Sequence, residues 1–243
     1  MTDVSKSNTM VSGINCGVCG RPLVYGTDSV ERLCALCGKQ GLTSIYCPEG
    51  HYICDTCHSK TALDVLRQVL SNTKETDPAA ILEQVMAHPG VPMHGPEHHA
   101  MVPGAIIAAV RNAGYPIPQG AIEKALERAA KVPGGWCGLY GDCGAAVGAG
   151  IAVSVLTSAT PLTGKQRSLA LGATSFALAR MLDDQPRCCK RATRVAIAAI
   201  VDYLHDHLNI TLPQAKEYRC LYTLRNQQCT KDQCQFYKVE PRQ

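Results

Sequence analysis

Residues 143–164 read CGAAVGAGIAVSVLTSATPLTG. The run carries no charge and is long enough to cross a bilayer, so its reading decides between a membrane span and a helix of a folded core. It is built of Gly, Ala, Ser and Thr, which insert poorly, and Pro161 interrupts it. We read it as a buried helix whose small residues let its neighbours approach closely, and expect no membrane partner. The flanking sequence keeps the same period: apolar residues at helical spacing predict helices over 102–112, 118–131, 143–158, 163–183, 187–207 and 212–218, and nothing there alternates as a strand. Composition agrees with this. At 46% hydrophobic and 18% charged the chain can build a core, and at 5% aromatic it favours closely packed helices over a β-sandwich. A net charge of +4 without a basic run gives no nucleic-acid footprint.

Upstream of residue 91 the character changes twice. Residues 59–90 hold two shorter helices and are expected to act as a helical linker. The first, over 60–70, places Leu63, Leu66, Val69 and Leu70 on one face; the second opens on Asp77-Pro78 and carries Ile81, Leu82, Val85 and Met86. Residues 14–58 are rich in cysteine and punctuated by glycine. The expected fold class is therefore mainly α: a small N-terminal zinc-ribbon or RING-like metal module, then the linker, then an all-helical domain over 91–243.

The fourteen cysteines fall in two groups of seven. The N-terminus, MTDVSKSNTM, has no apolar segment of secretory type, so a reducing cytoplasm is expected, where clustered cysteines hold metal more often than disulfides. The first group gives four close pairs: Cys16 with Cys19, Cys34 with Cys37, Cys47 with His51, and Cys54 with Cys57. Two such pairs complete a tetrahedral shell, so eight ligands suit two structural zinc ions, whose binding would supply the folding energy that so small a module lacks. A rubredoxin-like iron centre uses the same knuckles. Sequential pairing and a cross-brace both satisfy the spacing, and His58 can stand in for His51.

Three strings in the helical part carry reactive groups. The first, HGPEHH (94–99), gathers His94, Glu97, His98 and His99 on a loop before an apolar helix, where they can act as acid and base. The second, GGWCGLYGDCGAA (134–146), sets Cys137 and Cys143 at the mouth of the small-residue helix. Gly141 and Gly144 there let a ligand meet backbone N–H groups at the positive helix end. In the third, PRCCKR (186–191), Pro186 starts a helix, and Cys188 and Cys189 lie among Arg187, Lys190, Arg191 and Arg194. Clustered cations beside thiolates are what a negatively charged cluster needs. Cys220, Cys229 and Cys234 close the chain at spacings that suit an iron–sulfur cluster or a further zinc.

These strings, with CPEGHYICDTCH (47–58), resemble an uncharacterised family of bacterial and archaeal proteins, often found beside or fused to methyltransferase-type domains. The resemblance covers nearly the whole chain and implies no activity. More distantly, residues 94–207 are similar in their order of features to the catalytic α domain of iron–sulfur L-serine dehydratases: a V-P-A-type helix at 102–105, a cysteine-bearing glycine turn at 137–146, and Cys188, Cys189 and Arg191 before an Ala-rich helix. That resemblance implies a [4Fe–4S] cluster held by Cys137 (or Cys143), Cys188 and Cys189, with one iron open to substrate. It departs where the last two cysteines are adjacent. Adjacent cysteines seldom bind one cubane together, so one of them can belong with the terminal set.

Two functions follow. In one, the protein is an iron–sulfur lyase that eliminates water or a thiol from a small carboxylate-bearing substrate, with the 94–99 histidines moving the proton and Gly141, Gly144 or Arg191 holding the carboxylate. In the other, it is an accessory protein for metal transfer, electron transfer or redox sensing, with a redox or methyltransferase-type protein as partner. A Walker loop, a GxGxxG loop and a serine triad are all missing from the sequence.

Overall fold

The computed structural model of the chain describes residues 10–16, 18, 21–54, 57, 61–213 and 219–237; Cys19, His58 and the 214–218 part of the last expected helix lie outside them. The cysteine-rich segment forms an antiparallel sheet in the order β1-β2-β3, from strands β1 (Met10–Asn15), β2 (Pro22–Leu33) and β3 (Gln40–Tyr46). β2 and β3 make a hairpin whose register runs from Leu33↔Gln40 at the tip to Val24↔Tyr46 at the base, with an irregularity between Tyr25 and Val30.

The rest is helical: α1 (Ala62–Asn72), α2 (Pro78–Met86), α3 (Glu97–Asn112), α4 (Ala121–Ala129), the single turn α5 (Trp136–Leu139), α6 (Gly144–Leu156), α7 (Gly164–Ala179) and α8 (Cys189–Leu208). Local chemistry sets the ends of the first two. The Thr61 side chain caps α1 by accepting from the Asp64 N–H, and the Asp77 carboxylate caps α2 by accepting from the Ala79 N–H at 2.9 Å, with Pro78 in the first turn. Both helices bury their apolar faces, Leu66 and Leu70 of α1 and Ile81, Leu82 and Met86 of α2, in the same core that holds Met101 and Ile106 of α3 and Ile197 and Ile200 of α8. The segment expected to be a linker thus packs as part of the helical body. At about 1.5–3 kcal/mol for each fully buried large apolar side chain, these faces hold α1 and α2 in place.

Helix α3 begins at Glu97, five residues before the expected start at 102, so Glu97, His98 and His99 lie in its first turn and not on a loop. Pro103 lies inside the helix, which runs through it. A proline has no N–H for the carbonyl four residues earlier, which here is that of His99. That carbonyl faces α6 at Gly148, where a Cβ would come within 2.7 Å of the His99 oxygen, so only glycine allows the approach. α6, the uncharged run, is buried on nearly every side between α3 and α7. No helix among the described residues is long and apolar enough to cross a membrane.

Candidate metal centres

In the N-terminal module the ligand atoms of Cys34, Cys37, Cys54 and Cys57 lie within 4.8 Å of one another, and those of Cys16, Cys47 and His51 form a second such group. Cys19, the remaining member of the first pair, lies outside the described residues. The Cys37 and Cys54 sulfurs are 3.8 Å apart, the separation that two thiolates take around one tetrahedral ion with bonds of about 2.3 Å. The pairing is crossed, second pair with fourth and first with third, and the hairpin explains why. Cys34 and Cys37 form the turn at its tip, while Cys16 and Cys47 lie at its base, where Asn15 pairs with Pro22 and β3 ends at Tyr46. The chain then returns to the tip, where the Ala35 N–H donates to the Tyr52 carbonyl at 2.8 Å and the Cys54 N–H to the Cys34 sulfur at 3.5 Å.

The donor set fits metal ions. Burial raises the Cys34 thiol, but N–H groups of Cys54, Leu36 and Cys37 directed at its sulfur outweigh that and bring its pKa down to about 7. Cys57 moves the other way, to about 12, through burial and the neighbouring thiols of Cys37 and Cys54. Four thiols crowded in this way favour a bound cation over four thiolates. His51 Nδ1 is buried without a hydrogen-bond partner among the described residues, as suits a ligand nitrogen. The module docks on the helices through Cys57. His88 Nδ1 accepts from the Gly90 N–H, so its Nε2 carries the proton and donates to the Cys57 carbonyl at 2.5 Å.

A cavity of about 820 Å³ opens between the first turn of α3, the 134–145 segment, α7 and the start of α8. Cys137, Cys143, Cys188 and Cys189 line it together with His94, His98 and His99. Cys143 is the residue before α6, and burial raises its thiol against the opposing pull of the Ala145 and Ala146 N–H groups. Burial likewise raises the Cys189 thiol, opposed by the Gly95 N–H; the Cys143 charge raises it further and that of Arg187 lowers it.

Each histidine spends one ring nitrogen on an oxygen. His94 Nε2 meets Gln228 Oε1 at 3.1 Å, His98 Nδ1 the Gly95 carbonyl at 3.1 Å, and His99 Nδ1 the Val132 carbonyl at 3.1 Å. Those nitrogens are donors, so His94 Nδ1, His98 Nε2 and His99 Nε2 keep their lone pairs. His98 Nε2 and His94 Nδ1 are buried with no hydrogen-bond partner among the described residues. Burial above all, with Lys190 next, lowers the His98 pKa to about 3, and burial also lowers that of His99. Both rings are therefore neutral bases at pH 7.

The other expected residues have defined places. Glu97 is not among the lining residues; it folds back on Gly95. Gly141 and Gly144 line the cavity, but Gly144 is the seat of the His99 ring, and the N–H groups just beyond it serve Cys143. Arg191, expected to hold a carboxylate, is occupied. Its Nε pairs with Asp183 at 2.7 Å, Nη1 donates to Gln185 at 2.9 Å and Nη2 to the Pro186 carbonyl at 2.8 Å, fixing the loop before α8.

Asp142 was not singled out beforehand, and Arg187 only as one of the cations around the adjacent cysteines. Asp142 has a buried, unpartnered Oδ1 and a pKa raised by burial. Arg187 is exposed and makes no ion pair among the described residues. The signal for both was their place inside the GDC and PRCC strings.

The remaining cysteines gather at a second recess, which shares Cys188 and Arg191 with the cavity. Cys188, Cys220, Cys229 and Cys234 line a recess with Arg191, Arg194 and Asn226. The 219–237 segment that brings three of them is clamped to the helices by buried cations. Arg194 pairs with Glu83, with Nη2 to Oε2 at 2.9 Å, and lies over the Tyr222 and Phe236 rings; Lys190 Nζ lies 4.7 Å from the Tyr222 centroid.

No curated protein and no solved structure matches the chain, so the likeness to iron–sulfur L-serine dehydratases has no support from known proteins. Residues 66–237, which contain both the cavity and the terminal recess, match a family of unknown function, DUF5714, and the chain belongs to it.

Proposed function

We propose that the protein is an iron–sulfur lyase acting on a small carboxylate-bearing substrate in the 820 Å³ cavity, with two zinc ions holding the N-terminal module. One observation carries the reading: the thiols of Cys137, Cys143, Cys188 and Cys189 line that cavity together with the neutral rings of His98 and His99 and with Arg187, which makes no ion pair among the described residues. Cys137, Cys143 and Cys189 would supply the three thiolates that leave one iron of a [4Fe–4S] cluster open, Cys188 being shared with the recess of the terminal cysteines. Bound there, the cluster supplies a Lewis acid that polarises a leaving hydroxyl or thiol.

The chain's own groups do the rest. Arg187 receives the carboxylate. His99 Nε2, its ring fixed by the Val132 carbonyl and seated on Gly144, accepts the proton from the carbon next to the carboxylate. Asp142, whose carboxyl burial raises above its ordinary value, is placed as the proton donor to the departing oxygen or sulfur, which leaves as water or thiol. Every described cysteine is a free thiol, in keeping with a cytoplasmic, reducing setting.

A second reading, metal or electron transfer to a redox or methyltransferase-type protein, rests on the exposure of Cys137 at the cavity rim. Mössbauer spectra of anaerobically purified protein separate the two. A single iron site that shifts when serine, cysteine or a 2-hydroxy acid is added, and loss of turnover in His99→Asn with that shift retained, supports the lyase. Iron indifferent to all of these ligands rejects it.

A further inference from the structure

We propose that Cys188, Cys220, Cys229 and Cys234 form a second, closed iron–sulfur site, a four-thiolate [4Fe–4S] centre beside the cavity. The four thiols line one recess between the start of α8 and the 219–237 segment. The charges of Cys220 and Cys234 both reach the Cys188 thiol. Four thiols on one recess are the full ligand complement of a closed [4Fe–4S] core.

Its surroundings match the charge of such a core. The Arg191 backbone N–H points at the Cys188 sulfur, Asn226 Nδ2 approaches the same atom at 3.7 Å, and the Arg194 guanidinium bonds to Cys220. Donors to sulfur and nearby cations are the means by which proteins stabilise an anionic cluster.

Helix geometry separates the adjacent cysteines. Successive residues at a helix start diverge by about 100°. Cys189 accordingly receives the Gly95 N–H and feels the charge of Cys143, while Cys188, at the edge of both spaces, feels the charges of Cys220 and Cys234. With four protein ligands the second centre offers no site for substrate. It fastens a segment whose Gln228 contacts His94 and whose Thr230 donates to Gln185 at 2.6 Å, both at the cavity wall.

This inference does not depend on the cavity being catalytic, and the test keeps the two apart. Iron, acid-labile sulfide and Mössbauer spectra are measured on full-length protein purified anaerobically: wild type, Cys137→Ser/Cys143→Ser and Cys229→Ser/Cys234→Ser. The wild type should hold about eight irons and each double variant about four. The four left in Cys137→Ser/Cys143→Ser should all be thiolate-ligated and unmoved by added substrate analogues. A wild type with about four irons, all kept by Cys137→Ser/Cys143→Ser, supports the terminal site and rejects the cavity cluster. An iron-free Cys137→Ser/Cys143→Ser protein, or zinc alone in the recess, overturns the terminal site, and this variant decides the matter even if Cys229→Ser/Cys234→Ser fails to fold.

Discussion

Replacing Gly144 by alanine tests the seat of the candidate base. A Cβ at this position would fall within the van der Waals envelope of the His99 ring, against Cγ, Cδ2 and Cε1 together. The ring cannot yield along its own axis, because its Nδ1 is tied to the Val132 carbonyl at 3.1 Å. Overpacking of this kind costs about 1–3 kcal/mol, and a lost hydrogen bond adds about 1 kcal/mol. The alanine itself returns about 0.5–1 kcal/mol through helix propensity. The net expectation is a loss of about 1–3 kcal/mol, which for a chain of this size lowers the unfolding midpoint by about 3–8 °C. Gly164 is the matched control: it also opens a helix, α7, but a Cβ there meets nothing within 4 Å. Thermal unfolding of the metal-loaded proteins under anaerobic conditions should therefore show Gly164→Ala at or slightly above the wild type and Gly144→Ala well below it. Equal midpoints for the two variants would refute the packing of His99 on Gly144.

Other expectations follow from the same geometry. Cys34→Ser/Cys54→Ser removes two ligands from one ion of a crossed pair, so metal analysis should find about one zinc retained; sequential pairing would damage both sites and leave about none. Because the folded pKa of His98 is about 3, the unfolded chain binds the extra proton below about pH 6.5, and stability falls as pH drops through that window. Its share between pH 7 and pH 5 is about 2 kcal/mol. Chemical denaturation of wild type against His98→Gln should show that difference in slope, and parallel pH profiles would count against a neutral buried His98. Arg194→Leu breaks a buried pair and should cost about 3 kcal/mol while exposing the 219–237 segment to protease; the double variant Glu83→Leu/Arg194→Leu should recover part of that loss. Proteolysis no faster than in the wild type would show that the clamp does not hold the segment.

Much of this arrangement can be read from residue spacing. The cysteine pairs mark the N-terminal ligands, because a metal knuckle needs its sulfurs at fixed local separation. Apolar period marks helices α1 to α8 to within a few residues, apart from α5 and the start of α3. What the sequence left open has physical causes. Crossed and sequential pairing cost the same in local spacing; only the β2–β3 hairpin, whose YGTDSVERL stretch hardly alternates, places Cys34 far from Cys16. Pro103 carries a helix-start signal that the burial of α3 overrides, since Gly148 accommodates the carbonyl that the proline leaves free. Adjacent Cys188 and Cys189 look like a single site until helix geometry directs them apart. Arg191 and Arg187 are alike in sequence, and only the contacts to Asp183, Gln185 and Pro186 show which of the two is already used.

The most direct test of the account is the metal and acid-labile sulfide content of the full-length protein purified without oxygen. The account predicts about two zinc ions together with iron and sulfide in equal amounts, the iron falling when Cys137, Cys143 or Cys189 is replaced. Zinc without sulfide would contradict it and leave the cavity with no cluster to serve.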